Sequence, residues 1–145
     1  MTQLIEKTIL INAPATRVWE HLTEPELIKK WMGDPELKIE IDTTWKVGSP
    51  IRICGFHHAF FENKGIILQF NPRKLLQYNQ LNSVSRLPDT PENYTIITFQ
   101  LRPAGTQTQL RLEITNFPTE TIFKHLEFYW KTTPDIIKRQ IETLE

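Results

Sequence analysis

Apolar residues recur roughly every second position through most of this chain, then every three to four positions beyond Pro118. Near the N-terminus, Ile5, Ile9 and Ile11 alternate imperfectly with polar neighbours, which predicts a strand over Leu4–Asn12. Ala13-Pro14 ends it, and proline suits a helix's first turn, where its missing N–H would be unpaired anyway. Val18, Trp19 and Leu22 then fall at helical spacing and predict a short helix to about Leu22. Thr23-Glu24-Pro25 reads as a second helix start, with Thr23 as cap, Pro25 in the first turn and Glu26 favouring the positive helix end. Leu27, Ile28 and Trp31 form its apolar stripe, and Gly33-Asp34-Pro35 stops it.

Period two returns over Leu37–Asp42, where Leu37, Ile39 and Ile41 share one face. Trp45–Pro50 is a turn region containing Gly48, Ile51–Phe56 a strand, and Phe60–Phe70 a longer strand with a bulge expected near Gly65. Asn71-Pro72-Arg73 is turn chemistry, Lys74–Asn82 a strand, and Ser83–Asn93 the longest loop. The last two strands are predicted at Tyr94–Arg102 and Thr108–Phe117, with Leu110, Leu112 and Ile114 on one side of the second. Pro103–Gln107 joins them and sets Gly105 where a positive φ is needed. After Pro118, Ile122, Leu126, Tyr129, Trp130, Thr133, Ile137, Ile141 and Leu144 make one long helical stripe. Pro134 interrupts it. Either Thr133 caps a restarted helix or the helix kinks; the stripe stays in phase across Pro134, which favours a kink or brief break.

The expected architecture is therefore α+β: a curved antiparallel sheet of about six or seven strands, two short helices after strand one, and a long C-terminal helix packed across the sheet. No repeat, low-complexity tract or linker interrupts it, so residues 1–145 are expected to form a single domain. This order, with its local wording, resembles the helix-grip or START-like (SRPBCC) superfamily, which includes the birch-pollen allergen type. The branch it looks most like is named after the activator of the Hsp90-type chaperone ATPase (AHSA1-like). The matching segments are Ile11-Asn-Ala-Pro14 through Val18-Trp19, Leu22-Thr-Glu-Pro25 to Lys30-Trp31, Gly65 to Tyr78, Gly105-Thr106 before Leu110, and Trp130 with Ile137-Lys138. The chain departs from that pattern at Tyr129, where a glycine usually precedes the helix tryptophan, and at Gly48-Ser-Pro50, where a double glycine is common. A bulky Tyr129 fills space facing the sheet and changes any inherited pocket shape.

Composition narrows the function classes. With 17 basic and 17 acidic side chains there is no basic excess of the kind that marks a nucleic-acid footprint. Lys138-Arg139 is followed by Glu142 and Glu145 and reads as a solvated helix face. Cys54 is the sole cysteine, so no internal disulfide can form and a reducing compartment fits. Met1–Lys7 lacks a basic region leading into a long apolar run, and no apolar stretch is long enough to span a bilayer. A cytoplasmic protein without membrane insertion is expected.

Catalytic and metal chemistry find little purchase. His57 and His58 are adjacent on an extended segment, so their side chains point to opposite faces and cannot chelate one ion together. His21 and His125 lie on separate elements, and no further Cys or His sits at ligand spacing. Ser49, Ser83 and Ser85 fall in loops without a nucleophile elbow, and the five glycines form no phosphate loop. No cofactor is expected.

Aromatic residues are the richer signal. Trp19, Trp31, Tyr78, Phe99, Tyr129 and Trp130 are expected to face the space between sheet and long helix. Taken singly each reads as plain core, but the O–H of Tyr and N–H of Trp need partners when buried and so can orient a ligand. Arg52 is a further candidate, although its strand position points it outward. The expected site comprises Trp31, Ile53, His57, Tyr78, Phe99, Leu126, Tyr129 and Trp130, holding a small, largely apolar molecule without catalysis. An empty cavity of ~300 Å³ would cost ~7 kcal/mol, comparable with the roughly 5–15 kcal/mol that stabilises a domain. The cavity is therefore expected to be small or narrow. Two other functions follow from the resemblance alone. One is a protein-interaction role as co-chaperone or stress-response adaptor, with a chaperone or a second copy as partner. The other is a cyclase- or hydrolase-type enzyme using His57 or Tyr78.

Overall fold

The computed structural model describes residues 3–33, 35–56 and 59–143. Its element order is β1 (Ile5–Ile11), α1 (Ala15–Thr23), α2 (Pro25–Met32), β2 (Glu40–Thr43), β3 (Pro50–Phe56), β4 (Phe60–Asn71), β5 (Leu75–Asn82), β6 (Thr95–Ala104), β7 (Gln107–Thr115) and α3 (Glu120–Glu142). The strands form one seven-stranded sheet in the order β1-β7-β6-β5-β4-β3-β2, and every pairing is antiparallel. Six of the strands follow one another by hairpins, while β1 crosses to the far edge beside β7. The fold is α+β, with two short helices after strand one and a long C-terminal helix.

Register explains the core. Ile67, Tyr78, Ile97, Ile114 and Ile5 pair in turn across β4, β5, β6, β7 and β1, making one inward row. Helix α3 lies over the β1 side of that face and also meets α1 and α2. Its buried side, from Leu126 and Trp130 to Ile137 and Ile141, is the predicted stripe. Polar ties hold it there: Lys138 Nζ donates to Leu10 O at 2.7 Å, and the Asn12 N–H donates to Glu142 Oε2 at 2.7 Å.

Several local expectations need correction. Thr23 is the last residue of α1 rather than a cap for α2; its hydroxyl donates to Trp19 O at 2.9 Å, and Glu24 occupies the cap position. Strand β2 is shorter than the Leu37–Asp42 pattern implied, because Pro35–Leu37 forms a 3₁₀ turn and Lys38 adopts φ 51°. That turn brings Leu37 beside Gly55, where an added Cβ would lie 2.8 Å from Leu37 O. The bulge in β4 falls between Ile67 and Gln69, not near Gly65. Gly65 instead permits a close approach, since a Cβ there would sit 1.8 Å from Asn79 O. Strand β7 stops at Thr115 because Asn116 takes φ 61° and donates through Nδ2 to Tyr94 O at 2.7 Å. The hairpin before it is a two-residue turn, Ala104 pairing with Gln107, with Gly105 at φ 67°.

Helix α3 is capped by Thr119, which accepts from the Ile122 N–H, and it runs unbroken through Pro134. Of the kink or brief break expected at Pro134, the break is absent. Pro134 cannot donate to the carbonyl one turn back, yet Trp130, Thr133, Pro134, Ile137 and Ile141 are all buried. Tertiary packing of that face outweighs the roughly 3 kcal/mol an interior proline costs a helix.

Candidate functional site

The two short helices set the wall of the site. Trp31 Nε1 donates to His21 O at 2.7 Å, which fixes α2 against α1 and turns the Trp31 ring under the sheet. Trp31 and Phe99 each pack against Trp130 of α3, with ring centroids 6.1 and 5.9 Å away. The Tyr129 ring stands edge-on to Trp130 with centroids 5.2 Å apart, and its hydroxyl donates to Met32 O at the end of α2. These contacts close the space between α3 and the sheet with side chains.

What remains is a void of about 10 Å³, lined by residues of α1, α2, β2, β3, β5 and β6 together with Trp45. That is room for one water at most, given the ~10–15 Å³ a water needs. Trp31, Ile53, Tyr78 and Phe99 from the sequence-derived set line it. Leu126, Tyr129 and Trp130 do not; they lie on α3, Trp130 and Leu126 buried and Tyr129 half-buried. His57 lies outside the described residues. The void therefore sits beneath α2 and the β2–β3 edge, displaced from the long helix.

Sequence reasoning did not place Leu22, Ile28, Met32, Ile41, Trp45 or Ile51 in the site, and all six line the void. Ile41 and Ile51 were legible, because period two puts them on the same face as Ile53. Trp45 had a weaker signal: a tryptophan in a glycine-containing turn has no strand or helix reason to be there. Its backbone adopts φ 60°, a left-handed conformation uncommon for so bulky a residue. Among the lining residues only Met32 and Trp45 are half-buried; the rest are buried.

Tyr78 is the polar group of this site. It is 4 % exposed, and its hydroxyl makes no hydrogen bond among the described residues. Burial, and secondarily the neighbouring Tyr129, push its pKa far above the ordinary phenol value. It is therefore a neutral donor at physiological pH and a poor acid or base. Tyr129 is pushed up to about 12 by burial. Arg52 points outward and pairs with Glu62. His21 is buried with Nδ1 bonded to Arg17 O, and His125 is exposed on α3. Among the described residues no three His, Cys, Asp or Glu side chains are grouped to hold a metal ion. A larger concavity of about 170 Å³ lies on the outer sheet face between Thr8, Gln100, Arg102, Gln109 and Arg111. It is a polar strand surface where Glu6 and Glu113 both pair with Arg111.

This arrangement is that of the helix-grip fold: a curved antiparallel sheet closed by a long helix, with a seam beneath two short ones. Over residues 12–142 the chain matches the family model described as "Activator of Hsp90 ATPase homolog 1-like protein", and it belongs to that family. A solution structure of a protein from Cytophaga hutchinsonii is similar at 35% identity and TM-score 0.79, covering 97% of this chain and 94% of that one. The solution structure of the Aha1 dimer from Colwellia psychrerythraea shares the fold at 23% identity and TM-score 0.74, over 97% of each chain. A crystal structure from Mesorhizobium loti does so at 20% identity and TM-score 0.78, over 99% of each. No curated protein sequence matches this chain. Among the described residues no helix is long and apolar enough to cross a membrane.

Proposed function

We propose that this protein binds a small, largely apolar molecule carrying a hydrogen-bond acceptor, without catalysis, at the seam of α2, β3, β5 and β6. One observation carries the reading: the Tyr78 hydroxyl, which makes no hydrogen bond among the described residues, belongs to a side chain that borders a void lined otherwise by aliphatic and aromatic side chains. An acceptor on a ligand that reaches this hydroxyl gains a hydrogen bond worth about 0.5–1.5 kcal/mol. Its raised pKa suits a donor rather than an acid. At about 10 Å³ the seam is closed, so binding requires side chains to move aside. The test is a thermal-shift panel of aromatic ketones and matched hydrocarbons, with denaturing extraction and mass spectrometry of the protein from its native cell. Ketones are expected to raise Tm, and Tyr78→Phe is expected to erase their advantage. A protein that emerges ligand-free and is stabilised by no member of the panel would remove the reading.

A protein-interaction role is the second reading, favoured by exposed aromatic surface. Phe56 and Phe60 are 53 % and 50 % exposed, pair across β3 and β4, and stack at 5.6 Å; Phe128 on α3 is 79 % exposed. The family description points to a chaperone ATPase as partner, and the Colwellia protein is described as a dimer. Sedimentation of the purified protein and capture of a purified Hsp90-type chaperone test it. A monomer that retains no chaperone, with Phe56→Ser and Phe128→Ser behaving identically, would leave this reading without support.

A further inference from the structure

We infer that Trp45 is the door of the Tyr78 void, and that the ligand is a flat, ring-bearing molecule no larger than the indole it displaces. This rests on the ligand-binding reading above. Eight of the ten described side chains around the void are buried, and Trp45 and Met32 are the two that also reach solvent. Met32 is anchored through its backbone, because its carbonyl accepts the Tyr129 hydroxyl. Trp45 is held less firmly. Its residue sits outside both flanking strands, in the left-handed region at φ 60°, and its N–H reaches Thr43 Oγ1 only at 3.3 Å. Its indole leans on Phe70 at 6.0 Å, a ring that is itself only half-buried. Three residues on, the Gly48 N–H donates to Ile67 O at 2.8 Å, so the loop is anchored to β4 beyond Trp45 and not at it.

Strained non-glycine backbone persists where packing over-determines it, and such positions cluster at ligand clamps and switches. Rotation of the Trp45 side chain outward about χ1 vacates a slot bounded by the rings of Trp31, Tyr78 and Phe99. A planar molecule fits between rings; a branched or long-chain one does not. Its acceptor then meets the Tyr78 hydroxyl at the inner end.

Stopped-flow tryptophan fluorescence with acetophenone and its hydrocarbon counterpart ethylbenzene tests both halves of this. Trp45→Gly keeps the left-handed backbone without strain and removes the indole. It is expected to raise the ketone's association rate tenfold or more, while both proteins prefer ketone over hydrocarbon and Tyr78→Phe abolishes that preference. Binding with an unchanged or slower rate in Trp45→Gly overturns the door and leaves the ligand reading standing; binding by neither protein overturns both. Should Trp45→Gly fail to fold, ¹⁵N relaxation dispersion of the wild-type Trp45 indole N–H decides. Microsecond-to-millisecond exchange quenched by saturating ketone is expected, and a flat profile overturns the door.

Discussion

The two ends of the inner sheet face differ in how completely they are filled. Beneath α3, Ile11, Val18, Ile114, Ile137 and Ile141 are no more than 1 % exposed, and lysine and glutamate side chains tie the helix to β1. Beneath α2, the covering strand β2 has four residues, a small void survives, the Tyr78 hydroxyl has no hydrogen bond among the described residues and Trp45 adopts left-handed backbone. The first end has the close packing of a stabilising core. The second combines incomplete packing, an unspent donor and local strain, which together mark where the molecule can yield. Stability and compliance are thus divided between two halves of one layer.

The largest expected effect contrasts one deletion in each half. Ile137→Ala should cost about 2–5 kcal/mol, because its surroundings are rigid and the cavity left cannot collapse. Ile53→Ala should fall at the bottom of that range, since Trp45 and Met32 can shift into the space; equal losses by urea denaturation would erase the distinction. The two tyrosines sharpen it by sign. Tyr129→Phe removes a hydroxyl that donates to Met32 O and should destabilise by ~1 kcal/mol. Tyr78→Phe removes one that makes no hydrogen bond among the described residues and should stabilise by a few tenths to ~1 kcal/mol. A loss in both would mean that Tyr78 is satisfied.

Alkali provides a third comparison. Tyr78 and Tyr129 have folded pKa values raised by burial, Tyr129 to about 12, against an ordinary 10.0. Their contribution to stability is therefore complete below pH 10 and is lost as pH rises through the folded values. Absorbance at 295 nm should show these two phenols titrating with unfolding; titration of all three tyrosines in a single step near pH 10 in the native protein would contradict this. The smallest effect is at the α3–β1 tie. Glu142 is held below the usual carboxylate range by Lys138 and then by the Asn12 N–H. Its contribution is present above about pH 4.5 and is lost as pH falls through the lower folded value. Glu142→Gln should cost only a few tenths of a kcal/mol at neutral pH, because the pair is exposed, and should flatten the acid limb of the stability curve.

Much of the architecture was legible from periodicity. The inward residues of β7, Leu110, Leu112 and Ile114, and the α3 stripe from Leu126 to Ile141 read directly, because each element buries one face. Boundaries were less legible. Leu37 matched a strand by period, but its role beside Gly55 depends on a neighbour distant in sequence. Pro134 left a kink and a brief break both open, and burial in a packed face kept α3 continuous. Within the site, Trp31, Ile53, Tyr78 and Phe99 were nameable as inward aromatics and aliphatics. That the void lies under α2, away from Leu126, Tyr129 and Trp130, depended on how large side chains from different elements divide the space.

The order of residues alone determined the element types, the single buried face of each and the α+β arrangement, since these follow from local spacing, turn chemistry and solvent aversion. Tertiary structure decided which aromatic filled which part of the hollow, which tyrosine found a partner and which tryptophan was left bearing strain. Those outcomes depend on volumes and donors meeting across distant segments, and no local pattern encodes such a meeting.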